Sequence, residues 1–344
     1  MFLENGYLDF DYIMAQGAVY NFICGGRGIG KTFGALRWAV DHGIKFVLLR
    51  RTQTKVDILK TEDFNPFKAL YSALGADYYF TMSNITKSIT GVYRGEKTPE
   101  SQPCGYIMAL STIANVRGYD SDAQLVIFDE FIPEVQEKKI KGEGQAFLNA
   151  LETIGRNREL QGKPPLKLLA LSNSNNMVNP IFIELRLVSV VEKMLKKVNA
   201  ENLPYYIRKM PDPDAAIFLL NKTPISTAKA ETSLYRLAGS GEFSDMALHN
   251  KFNDLDVTLV RSYNLREFKP VVQVGELCIY VHKSQPRYYV SSLTTGSPPV
   301  YSSGTMDLKR FAMDYYFIWL AYLSKIVYFE SYLLQSLFEN YYAK

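Results

Sequence analysis

Short apolar runs alternate with helix-like stretches over roughly the first 200 residues, which is typical of a parallel β-sheet flanked by helices. The runs that predict strands are residues 19–24, 45–50, 105–111, 124–128 and 166–171. Helical spacing predicts helices at residues 32–42 and 142–154, and alternation over residues 77–94 predicts an inserted β-hairpin. The pattern therefore predicts an α/β domain at residues 1–203.

The pattern changes after residue 203. Short helical pieces at residues 213–220 and 233–238, broken by proline and glycine, predict a small linking subdomain at residues 204–250. The β-type runs beyond it are residues 257–263, 271–282 and 287–293. With two aromatic helices over residues 311–338, these runs predict a second small α/β domain at residues 251–344.

The aromatic segment does not predict a membrane span. Asp314, Lys325 and Glu330 interrupt it, and its longest apolar stretch is about half of the roughly 20 residues that a spanning helix needs. The amino terminus has no basic region followed by a long apolar core, so it predicts no secretory signal. We expect a protein without a membrane partner.

Composition and charge narrow the class of protein. The chain has 344 residues, which suits two domains, and its 47% apolar and 22% charged residues are typical of a globular protein. A net charge of +4 permits nucleic-acid contact without arguing for it. The three cysteines and three histidines lie far apart in sequence, which disfavours a disulfide framework and a zinc site.

A glycine-rich loop carries the most specific chemistry. It follows the first predicted strand, precedes a predicted helix and matches the phosphate-binding pattern G-x-x-x-x-G-K-[ST]. Its backbone N–H groups and the helix amino terminus favour phosphate oxygens, the lysine reaches the β- and γ-phosphates, and the threonine holds Mg²⁺. The predicted ATP-binding residues are Gly25, Gly26, Arg27, Gly28, Ile29, Gly30, Lys31 and Thr32.

Polar residues at two further strand ends complete the predicted ATPase. Asp129 and Glu130 end an apolar strand, where the aspartate binds Mg²⁺ and the glutamate orients the attacking water as the catalytic base. Ser172 and Asn173 end another strand, where Asn173 contacts the γ-phosphate or simply caps a turn. We thus predict a P-loop ATPase that uses Mg²⁺ and has a glutamate beside the metal-binding aspartate (ASCE class).

Arginines near the predicted helix end are candidates for transition-state stabilisation. Phosphoryl transfer needs positive charge on the γ-phosphate oxygens, commonly from an arginine of a neighbouring subunit. Arg156 and Arg158 fit this role, although a solvated helix end explains them as well. Arg117, on a glycine-containing loop, is a second candidate.

Basic residues in two loops are candidate contacts to DNA phosphates. Arg50 and Arg51 begin the first loop, and a basic run follows Asp129 and Glu130. A solvated, charged surface is the default explanation for both runs. The lysines predicted to contact DNA are Lys55, Lys60, Lys138, Lys139 and Lys141.

The ordered set of these motifs resembles the DNA-packaging ATPases of small short-tailed phages that replicate by protein priming. The matching stretches are residues 21–32, 49–51, 126–132, 156–159, 171–174 and 178–180. The resemblance implies a motor that drives double-stranded DNA into an empty procapsid through the portal, as a ring that usually has five subunits. It implies that Arg156 acts in trans, and it leaves open a scaffold RNA.

The resemblance also implies where the motor acts and what its second domain is. The motor would work in the host bacterial cytoplasm, docked transiently on the procapsid and absent from the mature virion. The second domain resembles the RNase H-like nuclease of large terminases. Such a nuclease needs clustered carboxylates, and here the central strands offer only Glu276, with His282 and Lys283 where an acidic pair belongs. We therefore expect a nuclease-inactive domain that binds DNA or the portal.

Two other functions compete with a packaging motor. A helicase would share every nucleotide-binding residue and track a single strand over stacking aromatics. A nucleotide-binding scaffold would not hydrolyse ATP, which Lys31, Asp129 and Glu130 argue against. A terminase-like cutting enzyme is a sub-case of the packaging motor, and it would need the missing carboxylates.

Overall fold

Two compact units make up the chain, Met1–Phe252 and Asn253–Lys344. A computed structural model describes residues 1–133, 137, 140–173, 176–212, 214–233 and 259–342.

The first unit is built on a nine-stranded mixed sheet in the order β3-β4-β5-β2-β6-β7-β1-β9-β8. Its strands are β1 (Tyr20–Cys24), β2 (Phe46–Arg50), β3 (Phe80–Asn84), β4 (Ile89–Arg94), β5 (Gly105–Ala109), β6 (Leu125–Asp129), β7 (Lys167–Ser172), β8 (Tyr205–Met210) and β9 (Ala215–Leu220). The run from β5 to β9 in this order is parallel, and antiparallel β4, β3 and β8 extend its edges. The five predicted parallel strands and the inserted hairpin are confirmed.

Helices cover the parallel strands. They are α1 (Phe10–Met14), α2 (Lys31–Asp41), α3 (Gln53–Leu59), α4 (Pro66–Leu74), α5 (Glu143–Gly155), α6 (Pro180–Glu184), α7 (Val188–Glu201) and α8 (Pro224–Ala230). The predicted helices at residues 32–42 and 142–154 correspond to α2 and α5. Because parallel strands share one direction, the loops after β1, β2, β6 and β7 meet at one edge of the sheet.

The helix predicted at residues 213–220 is wrong, because residues 215–220 form strand β9. All six residues of β9 are buried, and an unbroken apolar run has no periodicity that separates a buried strand from a buried helix. β9 pairs in parallel with β1, and β8 pairs with β9. Residues 204–220, predicted to lie in a linking subdomain, therefore belong to the main sheet; residues 234–238 of the second predicted helix lie outside the described part of the chain.

The second unit contains a five-stranded mixed sheet in the order β13-β10-β11-β12-β14. Its elements are β10 (Phe268–Val274), β11 (Leu277–His282), β12 (Tyr288–Ser291), β13 (Val300–Tyr301), α9 (Thr305–Asp314), α10 (Tyr316–Leu323), β14 (Val327–Phe329) and α11 (Tyr332–Tyr342). The predicted run 271–282 is two strands joined by a turn at Gly275, whose φ is +51°. An α/β unit is confirmed in outline.

Two details of the second unit differ from the sequence prediction. Residues 259–263 contain only an isolated bridge between Val260 and Phe329, whereas a strand was predicted at residues 257–263; residues 257 and 258 lie outside the described part. The aromatic segment holds the end of α9, helices α10 and α11, and the short strand β14 between them. Among the described residues, no helix has the length and apolar character needed to cross a membrane.

Candidate active site

The glycine-rich loop between β1 and α2 has the backbone that its glycines permit. Gly28 and Gly30 have φ of +77° and +81°, a region that residues with a side chain rarely adopt. Lys31 begins α2 and is buried, and its Nζ donates to the carbonyl oxygens of Gly25 (2.9 Å) and Gly26 (2.5 Å). Burial lowers the pKa of Lys31 to about 7, and the negative charge of Asp129 opposes this shift. The loop therefore surrounds a desolvated cation suited to an anionic ligand.

The oxygen atoms predicted to hold a metal lie together. Asp129 ends β6, which is separated from β1 by β7, and its Oδ1 accepts a hydrogen bond from Thr32 Oγ1 at 3.0 Å. Carboxylate and hydroxyl oxygens are ligands that Mg²⁺ accepts. Glu130 follows Asp129 with φ of +56°, an uncommon conformation for a residue with a side chain. The donor set thus fits a magnesium ion next to the phosphate loop.

Arg50 joins the two carboxylates. It ends β2, the strand next to β6, and donates from Nη1 to Asp129 Oδ2 (2.5 Å) and from Nη2 to Glu130 Oε2 (2.7 Å). Burial raises the pKa of Asp129 even though the Arg50 charge opposes the shift. For Glu130, burial also acts to raise the pKa, but Arg50 and Lys55 outweigh it and lower the pKa. Glu130 is therefore held as a carboxylate.

Sequence reasoning placed Arg50 with possible DNA contacts and missed its position in the site. The sequence does hold a signal for this position, because Arg50 is the last residue of a predicted strand and so lies at the same sheet edge as Asp129. The missing information was the strand order, because β2 and β6 are neighbours only in the folded sheet.

A buried ion-pair network lies beside the carboxylates. Arg51 is fully buried and donates to Glu143, with distances of 2.5 Å from Nε and 2.9 Å from Nη2. Arg51 also pairs with Glu137, which pairs with Lys55. The Nζ of Lys55 lies 2.7 Å from Glu130 Oε2. The network thus ties the loops after β2 and β6 to the start of α5.

Replacing Arg51 with methionine is expected to lower the free energy of unfolding by about 3–5 kcal/mol, because Glu143 would keep a buried charge without its partner. Urea unfolding of the variant measures this loss. The double variant Arg51→Met/Glu143→Leu removes both charges and is expected to regain most of the stability. If Arg51→Met and the wild type had the same midpoint of urea unfolding, the pair would have no stabilising role.

The end of β7 lies between the phosphate loop and Asp129. The Ser172 carbonyl accepts from Gly25 N at 3.2 Å, and the Leu171 carbonyl accepts from Phe131 N at 3.1 Å. Asn173, the next residue, is half-buried at the same sheet edge. The structure therefore brings Asn173 to the region where the sequence predicted a phosphate contact.

The predicted arginines lie at the opposite end of the sheet. Arg156 caps α5 and, with Tyr20 at the start of β1, lines a cavity of about 570 Å³. Tyr20 is four residue steps of about 3.3 Å from Cys24, so the cavity lies about 13 Å of strand away from the phosphate loop. Arg156 is partly exposed, and its Nη1 lies 3.7 Å from Asp120 Oδ2.

Arg158 differs from Arg156 in exposure, whereas Arg117 is exposed as Arg156 is. Arg158 is buried and donates to the Pro164 carbonyl (3.2 Å) and to Asp122 Oδ1 (3.5 Å). Arg117 is exposed at the end of a short 3₁₀ segment, Leu110–Val116. Arg156 and Arg158 both line the cavity at Tyr20, so neither is brought to the phosphate loop of its own subunit.

Among the lysines predicted to contact DNA, the three that the structure describes have different surroundings. Lys55 faces Glu130, and Lys60 pairs with Asp57 at 2.6 Å. Lys141 is exposed just before α5. Lys138 and Lys139 lie outside the described part of the chain, and a DNA contact for any of these residues stays a prediction.

A nuclease needs clustered carboxylates, and the acidic residues near the central strands of the second unit lie apart. Glu276 lies exposed in the turn between β10 and β11, and His282 Nε2 is 3.9 Å from Glu267 Oε2. Within the described ranges of the chain, no group of three or more histidine, cysteine, aspartate or glutamate residues is arranged to hold a metal.

Comparison with known proteins identifies the family. The family model of the podovirus DNA encapsidation protein (Gp16) matches residues 4–311. The DNA packaging protein of Bacillus phage phi29 is 26% identical over 312 residues, covering 87% of this chain and 82% of the relative. That of Bacillus phage B103 is 26% identical over 314 residues, covering 87% and 85%.

Solved structures share the fold. The Phi-28 gp11 DNA packaging motor has a TM-score of 0.57 at 21% identity, covering 99% of both chains. The bacteriophage Phi-29 viral genome packaging motor assembly has a TM-score of 0.64 at 18% identity, covering 98% of this chain and 99% of that one. The predicted family, fold class and packaging function are confirmed, and the chain belongs to the podovirus DNA encapsidation protein (Gp16) family.

Proposed function

We propose that this encapsidation protein hydrolyses ATP between the glycine-rich loop and the Asp129–Glu130 pair, and that hydrolysis drives double-stranded DNA into a procapsid. The observation that carries the proposal is the meeting of Thr32 Oγ1 and Asp129 Oδ1 at 3.0 Å beside buried Lys31. Family membership supports DNA as the transported polymer.

Thr32 and Asp129 are the residues that would hold Mg²⁺. The chemistry that the ion would supply is neutralisation of the negative charge on the triphosphate. Lys31 would exchange its two carbonyl partners for phosphate oxygens, and the loop N–H groups would orient the phosphates. Asn173 would contact the γ-phosphate from the end of β7.

Glu130 is the proposed base. A base must be deprotonated when the substrate binds, and the lowered pKa of Glu130 beside Arg50 and Lys55 meets this need. Its position next to Asp129 allows it to orient a water molecule without leaving the metal-binding edge of the sheet.

The ring, the portal and a trans arginine belong to the same proposal. Arg156 lies partly exposed about 13 Å of strand from its own phosphate loop, which favours action on a neighbouring subunit. Arg158 is buried and serves to position the loop after α5. A homo-oligomeric ring, usually of five subunits, would place each Arg156 at the next site, with the portal and DNA as further partners.

Replacing Lys31 with alanine tests the nucleotide site. Loss of a charge-assisted hydrogen bond to phosphate is expected to weaken Mg-ATP binding about tenfold to a hundredfold. Binding is measured with a fluorescent ATP analogue, with Lys97→Ala as the control because Lys97 is an exposed lysine that bonds Ser83 on β3. Equal Mg-ATP affinity of Lys31→Ala and wild type would contradict the proposed nucleotide-binding site.

A second measurement separates a packaging motor from a helicase. Stimulation of ATPase activity by duplex DNA, without separation of its strands, favours the packaging motor.

A further inference from the structure

Helix α8 places a second lysine against the phosphate loop. The helix begins with a capping box in which Thr223 Oγ1 accepts from Ser226 N (3.0 Å) and Ser226 Oγ accepts from Thr223 N (2.8 Å). Pro224 occupies the first turn, where its fixed φ suits a helix start. These features fix the direction of α8, and Lys229 lies in its last turn.

Close packing joins α8 and the preceding strand to the loop. A Cβ on Gly25 would meet Leu220 Cβ, at the end of β9, at 2.7 Å. A Cβ on Gly28 would collide with Lys229 Nζ. Both glycines therefore allow this packing, and on the α8 side the contact is made by the flexible end of the Lys229 side chain.

The Lys229 ammonium lies at the middle of the loop. Its Nζ donates to the Arg27 carbonyl at 2.8 Å, while Lys31 Nζ bonds carbonyls at the start of the loop. Two like charges beside one set of N–H groups repel each other, and a bound polyphosphate would relieve that repulsion.

We propose that Lys229 is a second phosphate-binding cation of this site, which leaves the Arg27 carbonyl and contacts the triphosphate when ATP binds. This inference rests on the proposed function and adds a ligand contact from α8. The competing explanation is structural, with Lys229 serving only to fasten α8 to the loop.

Glutamine at position 229 separates the two explanations. Its amide retains a donor for the Arg27 carbonyl but carries no charge, so a structural role would survive, whereas a phosphate contact would weaken. Lys229→Gln is expected to weaken Mg-ATP binding about tenfold or more and AMP binding little, and Lys229→Arg is expected to restore ATP affinity. Lys222→Ala is the matched control, because Lys222 is an exposed lysine just before α8 that bonds Asn202.

Titrations of Mg-ATP, Mg-ADP and AMP into each variant, with thermal unfolding alongside, decide the matter. Wild-type ATP affinity in Lys229→Gln would overturn the inference, and so would equal losses for ATP and AMP. The Lys31→Ala variant distinguishes a failure of the Lys229 assignment from a failure of the proposed nucleotide site. If Lys31→Ala loses ATP affinity and Lys229→Gln does not, only the assignment of Lys229 fails; if Lys31→Ala binds normally, the nucleotide site itself fails.

Discussion

Replacing Glu130 with glutamine is expected to remove ATP turnover and leave ATP binding intact. Glutamine keeps the size of the side chain and a hydrogen-bonding oxygen but cannot accept a proton from water. General base catalysis contributes about 10²- to 10⁴-fold, so the steady-state rate is expected to fall by that factor. The phosphate-binding residues and Asp129 are unchanged, so the affinity for Mg-ATP is expected to stay near that of the wild type.

The control for Glu130→Gln is Glu137→Gln. Both glutamates pair with Lys55, but only Glu130 also contacts Arg50 and follows Asp129 directly. A loss caused by changing the charge around Lys55 would appear in both variants, whereas loss of the base appears only at position 130. Single-turnover hydrolysis of radiolabelled ATP measures the chemical step, and a Glu130→Gln rate within a few-fold of wild type would contradict the assignment.

The sheet edge that carries the site was predictable because its strands are local apolar runs that end in distinctive residues. The loop before α2 and the Asp129–Glu130 pair needed only sequence spacing and the rule that parallel strands end together. Strand β9 was not predictable in the same way, because its six buried residues show no alternation. Burial on both faces removes the signal that separates strand from helix.

The partners of the site residues were harder to predict than the residues themselves. Arg50 was grouped with DNA contacts because a basic pair after a strand looks the same whether it faces solvent or a carboxylate. Lys229 contacts Arg27 across 202 positions of the chain, and no local pattern indicates that contact. Such pairs follow from strand order and helix placement, which are properties of the folded sheet.

The sequence also could not show which of the two neighbouring arginines is exposed. In sequence, Arg156 and Arg158 flank one asparagine, and only the family resemblance favours Arg156 for the trans role. In the structure, Arg158 is buried against the Pro164 carbonyl, whereas 37% of the Arg156 side chain is exposed. Only a partly exposed side chain can reach a second subunit without disrupting the loop that holds it. Arg156 is therefore the residue to mutate as a test of the trans role.

Arg156→Ala is expected to bind ATP normally and to lose turnover about 10³-fold or more in the assembled ring, the contribution typical of an arginine supplied to phosphoryl transfer. Mixing it with Glu130→Gln tests the direction of supply. An Arg156→Ala subunit keeps its base, and a Glu130→Gln neighbour still offers Arg156, so some sites in a mixed ring are complete.

Mixed rings of the two variants are therefore expected to hydrolyse ATP faster than either variant alone. If Arg156 acted within its own subunit, every site in the mixture would lack one essential group and mixing would recover nothing. The double variant Glu130→Gln/Arg156→Ala mixed with Arg156→Ala is the control, because it supplies neither a base nor an arginine. Normal hydrolysis by Arg156→Ala in the assembled ring would show that the partly exposed arginine at the far end of the sheet has no part in the reaction.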